Sequence, residues 1–262
     1  MQVSIITINY NNGAMLESTV KSVIDNKRNL DGEAEYIVID GGSTDNSVPV
    51  IQEYAGYIDY WVSEKDKGVY NAMNKGVSIA KGSYCLFLNS GDTFYEKDTL
   101  RKVLHSLDTD FVCGNACLKY ADGVAEWKAP QIVDMQFFLR RFSVCHQSLF
   151  IRTSLLKARP YNESLAIVGD YEQLFYEMVV NHRSYKRVEL TICYYGCDGI
   201  SSCHEKSDAE KRYVLNEFRH RGYIEPDELC DIVNRLKAGT RKYRLLLFLA
   251  KCIVNNRMHL WK

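Results

Sequence analysis

Val3-Ser-Ile-Ile-Thr-Ile8 opens the chain as a run of mostly β-branched residues, and Asn11-Asn12-Gly13 brings it to an end. Such a run predicts a strand that is buried on both faces, as in the middle of a parallel sheet. Apolar side chains then recur at helical spacing, at Met15, Thr19, Val20, Val23 and Ile24. The chain therefore begins with a buried strand followed by a helix with one apolar face.

The alternation of strand and helix continues through the first third of the chain. Strands are predicted at Tyr36–Ile39, Ile58–Val62 and Tyr84–Leu88, and a helix over about Tyr70–Ala80. A further helix after the second strand carries Val48, Ile51 and Tyr54, and Asp45 is expected to cap it rather than to bind a ligand. This order is typical of an α/β fold, in which helices cover both faces of a mostly parallel sheet.

The middle of the chain is less regular. Shorter strands are predicted at Phe111–Cys113, Val124–Trp127, Gln147–Ile151 and Arg187–Cys193, and helices at Met135–Arg140 and Tyr171–Asn181. From Asp208 onward the pattern is helical. We therefore predict one α/β domain over residues 1–205 and a helical C-terminal extension over residues 206–262.

Composition excludes several classes of protein. The 262 residues are 46% hydrophobic and 25% charged, which is typical of a folded globular chain rather than a disordered one. Equal numbers of basic and acidic residues, 33 each, argue against duplex nucleic acid as a partner. The N-terminal residues lack the features of a secretory signal, so we expect a cytoplasmic protein without a disulfide framework. The nine cysteines lack the close pairs of a zinc site.

Polar residues follow each of the first four predicted strands. In an open parallel sheet, ligands bind beyond the carboxyl ends of the strands, so these residues predict a site. They are Thr7–Asn11, Asp40–Asp45, Glu64–Gly68 and Asn89–Asp92. The glycine-rich motifs of nicotinamide-binding and P-loop proteins are absent from the sequence. Asp92 is a candidate ligand for Mg²⁺ or Mn²⁺, since these cations prefer carboxylate oxygens and share their ligand shell with phosphates.

Several of these stretches, taken in order, resemble the family 2 glycosyltransferases, which have the GT-A fold and include bacterial enzymes of polysaccharide and lipid-linked oligosaccharide biosynthesis. The resemblance covers roughly the first 200 residues. The matching stretches are Val3-Ser-Ile-Ile-Thr-Ile-Asn-Tyr-Asn11, Ile37-Val-Ile-Asp-Gly-Gly-Ser-Thr-Asp45, Glu64-Lys-Asp-Lys-Gly-Val-Tyr-Asn-Ala-Met-Asn-Lys-Gly76, Leu88-Asn-Ser-Gly-Asp92, Cys145-His-Gln-Ser-Leu-Phe-Ile-Arg152 and Val168-Gly-Asp-Tyr171.

The resemblance implies a role for particular residues. Asp170 matches the proposed catalytic base and Asp92 the metal-binding acid of the family. The nucleotide-binding positions are Thr7, Asn9, Tyr10, Asp40 and Asp66. The resemblance also places four residues in the pocket that binds the acceptor and donor: His146, Gln147, Ser201 and His204. The family's acidic motif usually holds two or three acids, whereas Asn89–Asp92 keeps a single carboxylate, so we expect weak cation binding in the absence of the sugar nucleotide.

The reaction implied is transfer of a sugar from a nucleoside-diphosphate sugar, with UDP as the first choice, to a hydroxyl of a glycan or lipid-linked acceptor. Transfer would be assisted by Mn²⁺ or Mg²⁺, and direct displacement would invert the anomeric centre. Two alternatives stay open: a nucleotidyltransferase that makes sugar nucleotides, and a non-catalytic carbohydrate-binding or scaffold protein.

The last residues, 240–262, combine six basic side chains with an apolar run and Trp261. This pattern predicts either a helix at the cytoplasmic membrane surface, near a lipid-linked acceptor, or a helix that docks on protein. The sequence does not distinguish the two.

Overall fold

The structure is a computed structural model that describes residues 1–28, 30, 32–120, 122–140, 144–196 and 204–224. Its strands are β1 (Val3–Asn9), β2 (Ala34–Asp40), β3 (Tyr60–Ser63), β4 (Tyr84–Phe87), β5 (Thr93–Phe94), β6 (Phe111–Tyr120), β7 (Gly123–Trp127), β8 (Leu149–Arg152) and β9 (Tyr185–Gly196). Its helices are α1 (Gly13–Lys27), α2 (Ser47–Glu53), α3 (Val69–Ile79), α4 (Thr99–Leu104), α5 (Met135–Arg140), α6 (Thr153–Ala158), α7 (Gly169–Phe175) and α8 (His204–His220).

Within the described residues, nine strands form one mixed sheet. Its order is β3-β2-β1-β4-β8-β6-β9-β5, and β7 pairs with the second half of β6. The first four strands are parallel, β8 is antiparallel to β4 and β6, and β9 runs parallel to β6. The predicted α/β class with a mostly parallel sheet at its N-terminal half is confirmed.

The parallel half of the sheet brings the ends of its strands together. All residues of β1 and β2 are buried, as expected for central strands covered on both faces. In register, Asn9 pairs with Asp40, and Asp40 pairs with Ser63. The polar residues that end these strands therefore lie side by side at one edge of the sheet.

Two local features position the helices: a glycine that permits close approach to the sheet, and a carboxylate that caps two helices. A Cβ atom at Gly76 of α3 would lie 2.6 Å from Cγ2 of Ile6, so α3 approaches β1 more closely than an alanine would permit. Asp45 accepts hydrogen bonds from the first amides of α1 and α2, those of Gly13 at 2.9 Å and Ser47 at 3.0 Å. Its carboxylate thus fixes the starts of two helices, as the sequence predicts for α2.

The observed elements differ from the predicted ones mainly at their ends. The predicted helix over Tyr171–Asn181 is α7 followed by a π-helical turn, and the start of the predicted strand Gln147–Ile151 is a 3₁₀ turn. The strand β3 begins two residues later than predicted because a 3₁₀ turn precedes it. The short elements β5, α4 and α6 were not predicted, since they are too brief to show a period.

The chain divides into two compact units, residues 1–211 and 212–262. Of the second, residues 212–224 are described; there, Phe218 and Tyr223 have ring centroids 5.8 Å apart. Among the described helices, none has the length and hydrophobicity needed to span a membrane. The predicted basic helix over 240–262 lies outside the described residues.

Candidate active site

A cleft of about 910 Å³ lies at the carboxyl edge of the parallel strands. Its walls come from the ends of β1, β2 and β4, the start of α3, the β6–β7–β9 part of the sheet, and the loop before α7. Seven of the residues that the sequence singles out line it: Asn9, Tyr10, Asp66, Asp92, His146, Gln147 and Asp170. The fold thus joins residues from distant parts of the chain into one cavity.

Asp92 is the buried acid of the cleft, with 5% of its surface exposed. Its Oδ1 accepts a hydrogen bond from the Gly196 amide at 3.2 Å, and the Gln147 side chain is a second partner. Burial raises the pKa of Asp92 to about 7, since these hydrogen bonds only partly offset the lost hydration. The negative charge of ionised Asp92 is therefore only partly compensated by its neighbours, and a bound cation would supply the missing positive charge.

Asn89 provides a second oxygen at the end of β4. Its Oδ1 is buried and, within the described part of the chain, has no hydrogen-bond partner. A buried amide oxygen without a partner is costly, and amide and carboxylate oxygens both suit Mg²⁺ and Mn²⁺. Asn89 and Asp92 therefore fit a divalent cation whose other ligands would come from phosphate and water. Among the described residues there is no group of three or more His, Cys, Asp or Glu side chains that could hold a metal alone.

Asp170 lies in the first turn of α7. The Tyr70 hydroxyl of α3 lies 3.0 Å from its Oδ1 and 2.6 Å from the Ile167 carbonyl oxygen. A Cβ on Gly169 would lie 2.8 Å from the Tyr70 ring, so glycine is needed next to the acid. The sequence reasoning missed Tyr70, whose only signal was its position in the motif that begins at Glu64.

His146 lies deep in the cleft wall. Its ring stacks on Phe87 with centroids 4.8 Å apart, and its Nε2 lies 3.0 Å from the Tyr161 hydroxyl. Burial lowers the pKa of His146, and the negative charge of Asp170 opposes this change. The imidazole is therefore neutral at neutral pH and is better suited to hydrogen bonding than to charge stabilisation.

Two predicted nucleotide-binding residues, Thr7 and Asp40, are not among the residues that line the cleft. Thr7 is fully buried and donates to the Leu88 carbonyl oxygen at 2.7 Å. Asp40 is also fully buried, and its two oxygens accept five hydrogen bonds from Asn9, Ser43, Ser63 and two loop amides. Burial raises the pKa of Asp40, but these hydrogen bonds outweigh it and hold the pKa below its ordinary value. Its acceptor capacity is used within the protein.

Residues next to these two positions line the cleft instead. Ile8 and Gly41 line the cavity where Thr7 and Asp40 do not. A Cβ on Gly41 would lie 2.5 Å from Oδ2 of Asp66, so the Asp66 carboxylate fills the space that Gly41 leaves. Asn9 adds a buried Oδ1 that has no partner among the described residues.

The sequence predicts two further pocket residues. Ser201 and the side chain of His204 are not among the described parts of the structure. The cleft also contains apolar residues that no motif identified as a group. They include Leu118, Val144, Ile167 and Tyr195, beside Trp127.

Comparison with known proteins identifies this architecture. The family model described as glycosyl transferase family 2 matches residues 4–167. An uncharacterized glycosyltransferase of Mycobacterium tuberculosis is 31% identical over 229 residues, which are 84% of this chain and 82% of that protein. The PGL/p-HBAD biosynthesis glycosyltransferase of Mycobacterium bovis is 31% identical over 177 residues, or 64% of this chain and 66% of that protein.

Solved structures show the same fold. Staphylococcus aureus TarS gives a TM-score of 0.64 at 20% identity over 96% of this chain, although the match spans only 53% of TarS. A shorter TarS structure in complex with UDP gives 0.66 at 19% identity, over 96% of this chain and 87% of that one. The mannosyltransferase PcManGT of Pyrobaculum calidifontis, in complex with GDP-Man and Mn²⁺, gives 0.58 at 14% identity, over 100% of this chain and 81% of that one.

The mixed sheet, its covering helices and the cleft at the strand ends define a protein of the GT-A class. The chain belongs to glycosyl transferase family 2. The resemblance seen in the sequence motifs is confirmed, and the assignment of each site residue stays a prediction.

Proposed function

We propose that this protein transfers a sugar from a nucleoside-diphosphate sugar to an acceptor hydroxyl, with inversion at the anomeric carbon. The observation that carries the proposal is that Asp92 and Asp170, which lie far apart in the sequence, line one cleft. In the proposed reaction, Asp92 would hold the cation at the diphosphate, and Asp170 would take the proton of the acceptor hydroxyl. Family membership favours this reaction over nucleotidyl transfer and over a non-catalytic role.

The nucleotide would lie against the ends of β1 and β2. Exposed Tyr10 offers an aromatic face to a base. Asp66 and the Asn9 oxygen, which has no partner within the described ranges, offer hydrogen-bond acceptors. Asp66 lines the cleft and Asp40 does not, so we propose Asp66 as the acid that contacts the base. UDP is the donor nucleotide we propose first, since TarS is solved with UDP and with UDP-GlcNAc.

Asp92 and Asn89 would hold a divalent cation at the diphosphate. When bound, such a cation supplies positive charge against the negative charge that grows on the leaving diphosphate. Asp92 is held toward this position by the Gly196 amide and the Gln147 side chain. Lys65, which lines the cleft, adds a positive side chain at its rim.

Asp170 would accept the proton of the acceptor hydroxyl as the new bond to the sugar forms, and the diphosphate oxygen would leave with the electron pair of the broken bond. The Tyr70 hydroxyl and the start of α7 hold the carboxylate in place. Direct attack by the acceptor inverts the anomeric carbon, so no covalent intermediate with the protein is required.

The acceptor would approach along the wall that contains His146 and Gln147. Beside them, Leu118 and Tyr195 are partners in the β6–β9 ladder, so they lie on the same face of the sheet, and Trp127 is also on this side of the cleft. This partly apolar wall supports a glycan acceptor or an acceptor attached to a lipid.

The proposal is tested by incubating the protein with Mn²⁺ and UDP-sugars and measuring the release of UDP. Asp92→Ala and Asp170→Asn are expected to lower the rate, the second by about 10²–10⁴-fold as for other lost general bases. Asp122→Asn, which changes an exposed acid in the β6–β7 turn, serves as the control. Release of UDP by both site variants at the wild-type rate would contradict the two roles.

The domain division and location remain part of the proposal. We propose a catalytic domain over residues 1–205, a helical extension over 206–262, and a cytoplasmic location, with residues 240–262 at the membrane surface. Flotation with anionic vesicles compares the full chain with a chain that ends at Gly239. Equal flotation of the two chains would exclude the membrane role of these residues.

A further inference from the structure

Glu210 of α8 binds the loop that leads to Asp170. Its Oε1 accepts a hydrogen bond from the Ala166 amide at 2.9 Å, and its Oε2 accepts from the Ile167 and Val168 amides at 2.8 and 3.2 Å. One half-buried carboxylate thus accepts hydrogen bonds from three successive backbone amides. These three residues lie in a loop rather than in a strand or helix. Hydrogen bonds to an ionised carboxylate are stronger than those between neutral groups.

This loop connects directly to the proposed base. Val168 is followed by Gly169 and Asp170, and the Ile167 carbonyl oxygen accepts the 2.6 Å hydrogen bond from Tyr70. The Tyr70 hydroxyl is in turn 3.0 Å from Asp170. A shift of the loop would therefore move both the start of α7 and the hydroxyl that contacts the base.

The part of α8 that carries Glu210 is itself held in place. Ser207 is 2% exposed, and the Lys211 ammonium lies 5.1 Å from the centroid of the Tyr171 ring. Glu210 and Lys211 follow Ser207 by three and four residues, so all three lie on one face of the helix. This face is directed at α7 and at the loop before it, and all of these residues belong to the compact unit that ends at Lys211.

We propose that Glu210 is a positioning residue for the transfer reaction, which orients Asp170 through the amides of Ala166, Ile167 and Val168. This inference rests on the proposed function, because it takes Asp170 as the base. Glu210 does not line the cleft, so it contacts neither substrate. The matching motifs end at Tyr171, so they do not include Glu210.

The first test uses Glu210→Gln, which keeps the shape of the side chain but replaces one acceptor oxygen with an NH₂ group that faces backbone donors. Hydrogen exchange of the full-length protein is expected to be faster at the amides of residues 166–168 in this variant. Glu205→Gln, at an exposed acid of the same helix, is the matched control and should leave this exchange unchanged. Unchanged exchange in Glu210→Gln would overturn the inference without any use of substrate.

The second test measures UDP release from UDP-GlcNAc with Mn²⁺ and acceptor. Glu210→Gln is expected to lower kcat by roughly 10- to 100-fold, as expected for a misplaced catalytic group, and to leave the KM for UDP-GlcNAc unchanged. The donor KM should be unchanged because Tyr10 and Asp66 lie on other elements. A wild-type kcat, or a rise in donor KM with kcat unchanged, would overturn the inference.

A double variant separates this inference from the proposed function. If Glu210 acts through Asp170, Glu210→Gln should cause no further loss in an Asp170→Asn background. An equal loss in both backgrounds would mean that Glu210 acts only on overall stability. Wild-type activity of Asp170→Asn alone would instead refute the choice of base and would leave the exchange result on Glu210 as it stands.

Discussion

Replacing Asp92 with asparagine is expected to stabilise the metal-free protein and to weaken its response to cation. Burial raises the pKa of Asp92 from 3.8 to about 7. This difference of about three pH units, at ~1.4 kcal/mol each, gives an upper value of about 4 kcal/mol for the cost of holding Asp92 ionised in the folded state. Asparagine has the same shape and carries no charge, so it removes this cost.

The sign of the pH dependence follows from linkage. A carboxyl whose pKa is raised on folding binds its proton more tightly in the folded state, so folding loses stability as pH rises from 3.8 to about 7. The stability gained by Asp92→Asn should therefore be absent near pH 4 and complete by pH 8. For a chain of this size, each kcal/mol corresponds to roughly 2–4 °C in Tm, so a gain of several degrees is expected.

The assay is thermal unfolding in EDTA at pH values from 4 to 8, for the wild type, Asp92→Asn and the exposed control Asp122→Asn. A second series adds Mn²⁺ and UDP, which should raise the Tm of the wild type more than that of Asp92→Asn. If Asp92→Asn gains no stability relative to the wild type between pH 4 and pH 8, the buried, charge-deficient state assigned to Asp92 is wrong.

Three further predictions concern packing, nucleotide binding and pH. Gly76→Ala should lower the free energy of unfolding by about 1–3 kcal/mol, because its Cβ would overlap a β1 side chain. Gly56→Ala is the control: Gly56 has open space around it, so this change should have little effect on the urea midpoint. Gly41→Ala should displace Asp66 and raise the Kd for UDP, measured by calorimetry, while Tm stays near that of the wild type. Burial lowers the pKa of His146, so the folded protein should lose stability as pH falls below about 6.5. His146→Phe should lose less of its free energy of unfolding than the wild type between about pH 7.5 and pH 5, as measured by urea titration.

The N-terminal half of the fold could be predicted because its signals are local. The strands β1, β2 and β4 are continuous apolar runs, and the helices between them show a clear period. The two-residue strand β5 pairs with β9, which lies about a hundred residues later, and nothing in the local sequence marks it. The antiparallel half of the sheet depends on such distant pairings, so its order could not be read from the sequence.

The site was predictable to the level of strand ends but not of side-chain direction. An alternating strand shows which side is buried, whereas β1 and β2 are buried on both faces and show no alternation. The sequence therefore does not show that Ile8 and Gly41 line the cleft while Thr7 and Asp40 do not. Contacts such as that of Tyr70 with Asp170, which are 100 residues apart, depend on the complete fold.

Asp40 and Asp92 illustrate how the balance between burial and hydrogen bonding shifts the pKa values of two buried acids in opposite directions. Both follow or end buried strands at the same edge of the sheet, and both stand in a motif of the family. Asp40 receives five hydrogen bonds and has a lowered pKa, so a ligand would have to displace partners that it already has.

Asp92 has a raised pKa, and the nearby Asn89 oxygen has no partner among the described residues. When Asp92 is ionised, positive charge that enters the cleft would recover part of the free energy that the fold loses at these two groups. A single remaining carboxylate in the acidic motif is therefore compatible with cation binding, provided that the diphosphate brings the other ligands. Binding of cation and nucleotide should consequently be cooperative, with each raising the affinity for the other.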